Sequence, residues 1–513
     1  MYDATFSLPG HTMIEHSLSV PLDRFGALSR FAADEAAAIP EKIEVFAREY
    51  VRHGNERLPR LVYFQGGPGF GGPRMAPIGS WLDTALNHYR VVLLDERGTG
   101  RSHPIEAQAV SAVGPAPVQA AFISCFRQDS IAADAEDLRL AFGGEPWAVL
   151  GQSFGGFVVT AYLSQAPQGL FEAFVTAGLP SVDGHADDVY RLTYAQTDVR
   201  NREFFDRYPG DEPIAWSVAK HLADVEERLP TGERLTPARF RQIGICLGRS
   251  YGLEQVHFLL EDPFWTVRGA RRLRPQFLNR IGAQVSLAPS PLYGVMHEAI
   301  YAQASTGATA WSADRVRGEF PQFRLPDVAA GAAAESELEA EGRGFRFTGE
   351  HMYPWQMRED PALAPIADAA DALAADPSLR RLYDAEALAA NSSSSRLHDA
   401  EALGADGAAA GRGAAAGRGA AAADRFATGH ETSSAHNVTA AHRTLTAYNA
   451  TAAHRVPAAA WVYKQDMFVP YSISMETARL AGFRTLVSDT LHHDGLHSGG
   501  PQMILKLIEA VRG

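Results

Sequence analysis

Trp147-Ala-Val-Leu-Gly-Gln-Ser-Phe-Gly-Gly-Phe157 is the stretch of sequence that decides the fold. An apolar run leads into Gly151-Gln-Ser153-Phe-Gly155, and a helix-compatible apolar stretch follows. This order is typical of a nucleophile elbow, in which a G-x-S-x-G turn between a strand and a helix exposes a serine hydroxyl. The glycines allow strand and helix to approach closely, and free N–H groups of the helix N-terminus lie beside the serine. We therefore predict that Ser153 is a nucleophile.

Strand and helix patterns alternate on both sides of this elbow. Apolar runs such as residues 90–95 are typical of strands that are buried on both faces of a parallel sheet. We predict strands at residues 12–22, 42–51, 61–64, 90–95, 147–150, 171–178, 458–463 and 484–488, and helices near 129–142, 474–481 and 502–511. Strands that alternate with helices indicate an α/β fold with a mostly parallel sheet.

The pattern changes to mostly helical from about residue 181. Helices are predicted at 190–208, 214–228, 237–247 and 293–304, with few strand signals. We interpret this part as a helical cap inserted into one domain. The predicted division is core at 1–180, helical cap at 181–390, a low-complexity flexible insertion at 391–455, and core again at 456–513.

The predicted insertion at 391–455 has almost no large apolar residues, so it cannot bury enough surface to order itself. It contains two Ala-Ala-Ala-Gly-Arg-Gly repeats, and Asp384-Ala-Glu-Ala-Leu388 recurs as Asp399-Ala-Glu-Ala-Leu403. Three of its histidines could be read as metal ligands: His436, His442 and His454. Because their spacing is not compact, we predict solvated histidines and no metal site.

Composition excludes several classes of function. The 513 residues are 46% hydrophobic and 21% charged, as in a soluble globular protein. A net charge of −13 provides no basic field for nucleic acid or for an anionic membrane. No apolar run approaches the roughly 18 residues of a membrane span, and the N-terminus lacks the pattern of a secretory signal. We expect a cytoplasmic protein in which Cys125 and Cys246 are buried thiols.

A glycine-rich stretch offers a competing interpretation. Gly67-Pro-Gly-Phe-Gly-Gly72 fits G-x-G-x-x-G, and Asp95 ends a later strand, which together mimic a dinucleotide fingerprint. However, the residues from Pro73 onward do not open a convincing amphipathic helix. Asp95 also leads directly into a second tight turn, Glu96-Arg-Gly-Thr-Gly-Arg-Ser102. We therefore disfavour a nucleotide site and expect no cofactor.

A serine nucleophile needs a base and an acid that orients the base. In α/β-hydrolases the chain order is Ser, then Asp or Glu, then His, each in a loop after a core strand. Asp466 and His493 satisfy this order and context, with Asp489 and His492 as rivals.

An oxyanion hole needs two N–H donors. Phe154, the residue after the nucleophile, is predicted to supply one. Gly67, in the glycine-rich turn after an early strand, is our candidate for the second, because its backbone can approach a substrate carbonyl closely.

Five motifs together resemble the proline iminopeptidases, an α/β-hydrolase family of serine peptidases. They are Gly66-Gly-Pro-Gly69, Asp95-x-Arg-Gly-x-Gly-x-Ser102, Gly151-Gln-Ser-Phe-Gly-Gly156, Asp466-Met-Phe-Val469 and His493-Asp-Gly-Leu496. The resemblance covers nearly the whole chain except about 391–455. Two departures concern fine specificity: family members often have His where this chain has Gln65, and Asn where it has Asp494.

The resemblance implies a metal-independent serine aminopeptidase that removes an N-terminal residue, preferably proline, from peptides with a free N-terminus. It also implies that cap glutamates, here Glu298 and Glu350, bind the substrate amine. A cationic amine in a partly desolvated pocket does need a carboxylate partner. Three alternatives stay open: an α/β-hydrolase acting on esters, lactones or small amides, a binding protein that retains the fold, and a dinucleotide-dependent enzyme.

Overall fold

A computed structural model describes residues 2–74, 80–324, 331–392 and 455–513. Eleven strands occur in these ranges: β1 (Tyr2–Leu8), β2 (His11–Pro21), β3 (Lys42–Arg52), β4 (Arg60–Phe64), β5 (Arg90–Asp95), β6 (Trp147–Gln152), β7 (Leu170–Thr176), β8 (Phe264–Val267), β9 (Ala270–Leu273), β10 (Ala458–Tyr463) and β11 (Arg484–Ser488). The predicted α/β class with a mostly parallel sheet is confirmed, and all the predicted strands are present within a few residues of their expected ends.

Nine of these strands form one sheet in the order β1-β2-β3-β5-β4-β6-β7-β10-β11. The pairs from β5 to β11 are parallel, whereas β1, β2 and β3 pair antiparallel at one edge. The last two strands come from the C-terminal part of the chain, so the helical segment between β7 and β10 is an insertion into one sheet. The carboxyl ends of β6, β7 and β10 therefore lie next to one another, which is where a parallel α/β sheet places its ligand site.

Helices cover the sheet and fill the segment between β7 and β10. Before β7 they are Trp81–Ala85, Ala107–Ser111, Ala116–Ser124, Gln128–Ala141 and Phe154–Gln165. Between β7 and β10 they are Ala186–Arg207, Asp211–Asp224, Pro237–Arg241, Gly252–Leu260, Pro275–Val285, Pro291–Met296, Ser312–Arg317, Gly331–Ala340, Pro354–Glu359, Ala367–Ala374 and Ala385–Ser392. After β10 they are Tyr471–Ala481, Gly495–Ser498 and Gln502–Arg512.

Several details differ from the sequence prediction. The predicted helix at 237–247 is an α-helix over Pro237–Arg241 and a 3₁₀ helix over Gln242–Gly248. The predicted helix at 293–304 is two short pieces, Pro291–Met296 and the 3₁₀ turn Glu298–Ile300. A β8–β9 hairpin lies within the helical segment, and β1 adds an edge strand at the N-terminus. Both missed elements, the separate two-stranded hairpin and the edge strand β1, bury little surface, so their sequences lack a clear period-two apolar pattern.

The predicted insertion at 391–455 lies almost entirely outside the described residues, as do His436, His442 and His454. Its two flanks, however, are in contact. The Asn391 side chain accepts a hydrogen bond from the Val456 amide at 2.8 Å and donates to the Val456 carbonyl at 3.2 Å. The division at residues 180, 390 and 455 remains a prediction. Within the described ranges, no helix combines the length and apolar character needed to cross a membrane.

Candidate active site

The elbow has the geometry that its glycines predict. Ser153 joins β6 to the helix Phe154–Gln165 with φ 56° and ψ −125°, a strained conformation for a residue with a side chain. Its amide donates to the Thr176 carbonyl at 3.0 Å, which ties the turn to β7. A methyl group on Gly155 would lie 2.1 Å from the Phe64 carbonyl oxygen, so only glycine fits this crossing of helix and strand.

Three predicted residues meet at the carboxyl end of the sheet. His493 Nε2 lies 2.8 Å from Ser153 Oγ, and His493 Nδ1 lies 3.0 and 2.9 Å from the two carboxylate oxygens of Asp466. Asp466 follows β10 and His493 follows β11, on adjacent strands. The chain thus contains a hydrogen-bonded Ser–His–Asp series in which the imidazole can take a proton from the serine hydroxyl.

Backbone amides hold the Asp466 carboxylate in place. It is 3% exposed, and its Oδ1 accepts the amides of Phe468 and Val469 at 2.8 and 3.0 Å. Burial acts to lower the pKa of His493, but the charge and hydrogen bond of Asp466 outweigh it, and the pKa is raised. Asp466 would therefore stabilise an imidazolium formed when His493 takes a proton from Ser153.

The two rival residues lie elsewhere. His492 is buried, and burial lowers the pKa of its imidazole, whose Nδ1 has no hydrogen-bond partner among the described residues. Asp489 is exposed at the end of β11. Only His493 of the two histidines contacts Ser153 and Asp466.

The predicted oxyanion donors are the residue after Ser153 and the residue after Gly66. Phe154 is the first residue of its helix, so its amide has no acceptor within the helix. Gly66 lies against the nucleophile: a methyl group there would come within 3.0 Å of Ser153 Cβ. Gly67 is the next residue and has φ 146°, which favours glycine. Gly67 therefore directly follows the residue that packs against Ser153, in the turn that the sequence indicated.

The Glu350 carboxylate lies beside this series. Its Oε1 accepts the Tyr293 hydroxyl at 2.5 Å, and its Oε2 is 3.9 Å from His297 Nε2. The side chain is 17% exposed. Its negative charge contributes to the raised pKa of His493 and, after burial, of Tyr301, so it acts electrostatically on His493.

Glu298 has a different environment. Its Oε2 accepts the Ser312 amide and its Oε1 the Ala313 amide, both at 2.9 Å, at the start of the helix Ser312–Arg317. A carboxylate at this position satisfies free amides and interacts favourably with the helix dipole. The side chain is 5% exposed, and burial raises its pKa to about 7. Both oxygens of Glu298 are therefore already engaged by backbone.

Aromatic rings that the sequence did not single out pack on the elbow helix. Tyr301 contacts Phe157 of the elbow helix edge to face at 5.7 Å, and Tyr190 at 6.2 Å. The Tyr190 hydroxyl is buried and has no hydrogen-bond partner among the described residues. The charges of Glu298 and Glu350 both add to the raised pKa of Tyr190, after burial. An apolar wall with nearby carboxylates suits an amine attached to a hydrocarbon ring.

Asp494, one of the two departures from the family pattern, has a structural contact. Its Oδ1 accepts the Ser250 amide at 2.8 Å and the Ser250 hydroxyl at 2.7 Å. The His493 amide donates to the Gly248 carbonyl at 3.2 Å. Neighbouring residues of the helical segment therefore hold the histidine loop in place. Gln65, the other departure, accepts the Tyr63 hydroxyl at 2.7 Å.

The geometry of Asp95 disagrees with a dinucleotide fingerprint. Its carboxylate is fully buried and accepts the amides of Gly72 and Arg101 at 2.9 and 2.8 Å. It also binds the Arg74 guanidinium through both oxygens. In a dinucleotide site this carboxylate would have to reach a ribose hydroxyl. Here its four N–H partners come from the glycine-rich stretch and from the turn after β5.

Comparisons with known proteins agree with the fold and with the motifs. A family model described as alpha/beta hydrolase fold matches residues 59–231. The chain is 34% identical over 501 residues to a proline iminopeptidase of Aeromonas sobria, covering 97% of this chain and 96% of that protein. It is 31% identical over 336 residues to proline iminopeptidase aneH of Aspergillus aculeatus, covering 64% and 70%.

Solved structures are more distant. A hydrolase from Pseudomonas aeruginosa has 13% identity and a TM-score of 0.34, covering 93% of this chain and 97% of that one. Esterase E22 has 9% identity and a TM-score of 0.38, covering 98% and 100%.

Proposed function

Because this chain belongs to the proline iminopeptidase family, we propose that it is a serine aminopeptidase that releases an N-terminal residue, preferably proline, from peptides. The chain is a hydrolase of the prolyl aminopeptidase type. The observation that carries the proposal is the series Ser153–His493–Asp466, with contacts of 2.8 and 2.9 Å, together with the Glu350 carboxylate, whose charge acts on His493. We assign the nucleophile to Ser153, the base to His493 and its orientation to Asp466.

The reaction begins at the serine hydroxyl. Ser153 Oγ attacks the first carbonyl carbon of the peptide while its proton passes to His493 Nε2. The tetrahedral intermediate places its negative oxygen against the amides of Gly67 and Phe154. It collapses when the C–N bond breaks and His493 gives the proton to the leaving amine. Water, deprotonated by His493, then attacks the acyl-enzyme, releases the amino acid and restores Ser153.

The requirement for a free N-terminus follows from Glu350. A protonated secondary amine that leaves water needs a carboxylate to compensate its charge. Oε2 of Glu350 lies beyond hydrogen-bond distance of His297, so it can accept the ammonium, while Tyr293 holds Oε1. Glu298 has oxygens that already accept two amides and a pKa that burial raises to about 7, so it contributes negative charge only in its ionised form.

The rings of Phe157, Tyr190 and Tyr301 support the preference for proline. Tyr301 packs on both Phe157 and Tyr190, and aromatic rings of this kind are suited to packing against a pyrrolidine ring. The partners of this enzyme are peptides with a free N-terminus. Its proposed location is the cytoplasm, and no nucleic-acid or membrane partner is part of the proposal.

The experiment that tests the function is hydrolysis of aminoacyl-naphthylamides by wild type and by Ser153→Ala. The panel is led by proline and includes proline with a blocked amine. We expect wild type to cleave the free proline substrate but not the blocked one, and the variant to cleave neither. A wild type that cleaves simple esters but no aminoacyl substrate would retain the triad and refute the peptidase assignment.

Labelling by a fluorophosphonate separates an enzyme from a binding protein that retains the fold. Wild type is expected to be labelled at Ser153 and the alanine variant to be unlabelled. Absence of label on a folded wild type would contradict a reactive serine.

A further inference from the structure

The turn that follows β4 carries the proposed oxyanion donor Gly67 but has no helix or strand of its own. Gly67 and Gly69 have φ values of 146° and 98°, so the backbone is in a region that most residues avoid. A backbone of this kind keeps one shape only if its surroundings determine it. The contacts that fix the turn therefore decide where the Gly67 amide lies.

Asp95, at the end of β5, provides such contacts at the far end of the turn. Its Oδ1 accepts the Gly72 amide at 2.9 Å and Arg74 Nη1 at 2.6 Å. Its Oδ2 accepts Arg74 Nη2 at 2.7 Å and the Arg101 amide at 2.8 Å. The carboxylate is fully buried, and a methyl group on Gly100 would lie 2.2 Å from Oδ2. One carboxylate thus joins the glycine-rich turn to the turn after β5.

Arg74 closes this arrangement from the solvent side. Its guanidinium binds Asp95 in the bidentate geometry that gives the strongest ion pairs, and this hydrogen bonding raises the pKa of Arg74. Because Asp95 is buried, its charge requires this partner. Arg74 is itself 45% exposed, so its replacement leaves no cavity.

The middle of the turn contacts the helical segment. The Ser290 hydroxyl donates to the Gly69 carbonyl at 2.6 Å, and Phe70 packs on Tyr293 with ring centroids 5.2 Å apart. Tyr293 is the residue that holds Glu350. The turn is therefore held by Ser290 and Tyr293 at its centre and by the Asp95–Arg74 pair at its end.

We propose that Asp95 and Arg74 are positioning residues that hold the Gly67 amide toward the developing oxyanion. The inference rests on the proposed function, because Gly67 matters only if Ser153 attacks a carbonyl. Neither residue touches substrate; both act through the turn. Donors must be held to about 0.5 Å to be effective, and complete loss of one costs about 10²–10³ in rate. A loosened turn should cost part of that, on the order of tenfold in kcat.

The test compares Arg74→Ala, Arg74→Lys and Asp95→Asn with wild type on proline naphthylamide and on a simple ester. We expect Arg74→Ala to lower kcat on both substrates about tenfold while KM changes little, because amine and ring contacts are intact. Arg74→Lys should recover part of the rate, since a lysine keeps the charge but not the bidentate geometry. Asp95→Asn should lose more than Arg74→Ala.

Arg101→Ala is the matched control. Arg101 lies on the adjacent turn, is 52% exposed, and its guanidinium binds Glu15 on β2 instead of the glycine-rich turn. Its backbone contact with Asp95 does not depend on the side chain. This variant is expected to retain wild-type kcat.

The rate of fluorophosphonate labelling distinguishes failure of the inference from failure of the proposed function. The phosphoryl oxygen occupies the oxyanion site, so labelling of Arg74→Ala should slow in parallel with kcat even if the wild type proved to prefer another acyl group. An unchanged kcat and labelling rate in Arg74→Ala would overturn the inference. So would a loss confined to KM, or an equal loss in Arg101→Ala. If Asp95→Asn does not fold, Arg74→Ala and Arg74→Lys are sufficient to test the inference.

Discussion

Replacing Glu350 by Gln gives the sharpest test of the amine site, because the change keeps the shape and removes the charge. Oε1 accepts the Tyr293 hydroxyl at 2.5 Å, and a glutamine oxygen can keep that bond. Oε2, 3.9 Å from His297, becomes an amide nitrogen that repels an ammonium. Burial lowers the pKa of His297, so this imidazole is neutral near pH 7 and does not neutralise Glu350.

The expected magnitude follows from the bond that is lost. A hydrogen bond to a charged group contributes about 1.5–3 kcal/mol, and removal of one partner leaves the other charge buried and unpaired. Since about 1.4 kcal/mol is tenfold, kcat/KM on proline naphthylamide should fall by roughly 10- to 150-fold. A small neutral ester has no ammonium to lose, so its kcat/KM should change little.

One indirect effect must be separated from this loss. The Glu350 charge adds to the raised pKa of His493, so Glu350→Gln should lower that pKa. Both substrates are therefore measured well above the pKa of His493, where the base is deprotonated in both enzymes. Glu254→Gln is the control, because Glu254 is an exposed glutamate of the cap that pairs with Arg207. Equal losses on the amide and the ester would refute the amine site and leave Glu350 as a residue that tunes the triad.

Three further predictions concern other groups. The rising limb of kcat/KM with pH should lie above the ordinary pKa of histidine, because Asp466 raises the pKa of His493, and Asp466→Asn should shift the limb of any residual activity downward. Burial raises the pKa of Glu96 in the folded protein. The folded protein therefore loses stability as the pH rises from the unfolded pKa of a glutamate through the raised folded pKa. Glu96→Gln should have a higher Tm than wild type at alkaline pH but not at acid pH. Deletion of residues 393–454 should leave kcat/KM nearly unchanged, because Asn391 and Val456 already hold the flanks together, and loss of activity in a folded deletion variant would show that the segment contributes to the site.

The sequence predicted the elbow and the order of the triad because those signals are local. Gly151 and Gly155 are required where a methyl group would come within 2.2 Å of backbone, and such requirements are visible in any single sequence. Asp466 and His493 each follow a strand, and parallel strands bring their carboxyl ends to one edge of a sheet. The local pattern alone does not separate His492 from His493, since both lie in the same loop after β11.

The sequence alone could not predict which of the two cap glutamates has an oxygen available for a substrate. Glu298 and Glu350 both stand in segments rich in aromatic residues, and nothing in either segment separates them. The break in the predicted helix at 293–304 makes the difference: the chain turns at Glu298, which brings its carboxylate under the amides of Ser312 and Ala313. Glu350 instead meets a tyrosine hydroxyl from a residue 57 positions away. Only the second arrangement leaves an oxygen for a substrate.

The glycine-rich turn was ambiguous for a related reason. A G-x-G-x-x-G pattern reports that backbone must approach something closely, and it does not say whether that is a pyrophosphate or a serine nucleophile. The acidic residue that would accompany a nucleotide is present as Asp95, at the expected distance along the chain. Its four N–H partners all come from the protein, however, and two of them come from Arg74, which a motif search does not consider. Arg74→Ala therefore tests both interpretations at once: it should loosen an oxyanion donor, whereas in a nucleotide site it would free Asp95 for a ribose.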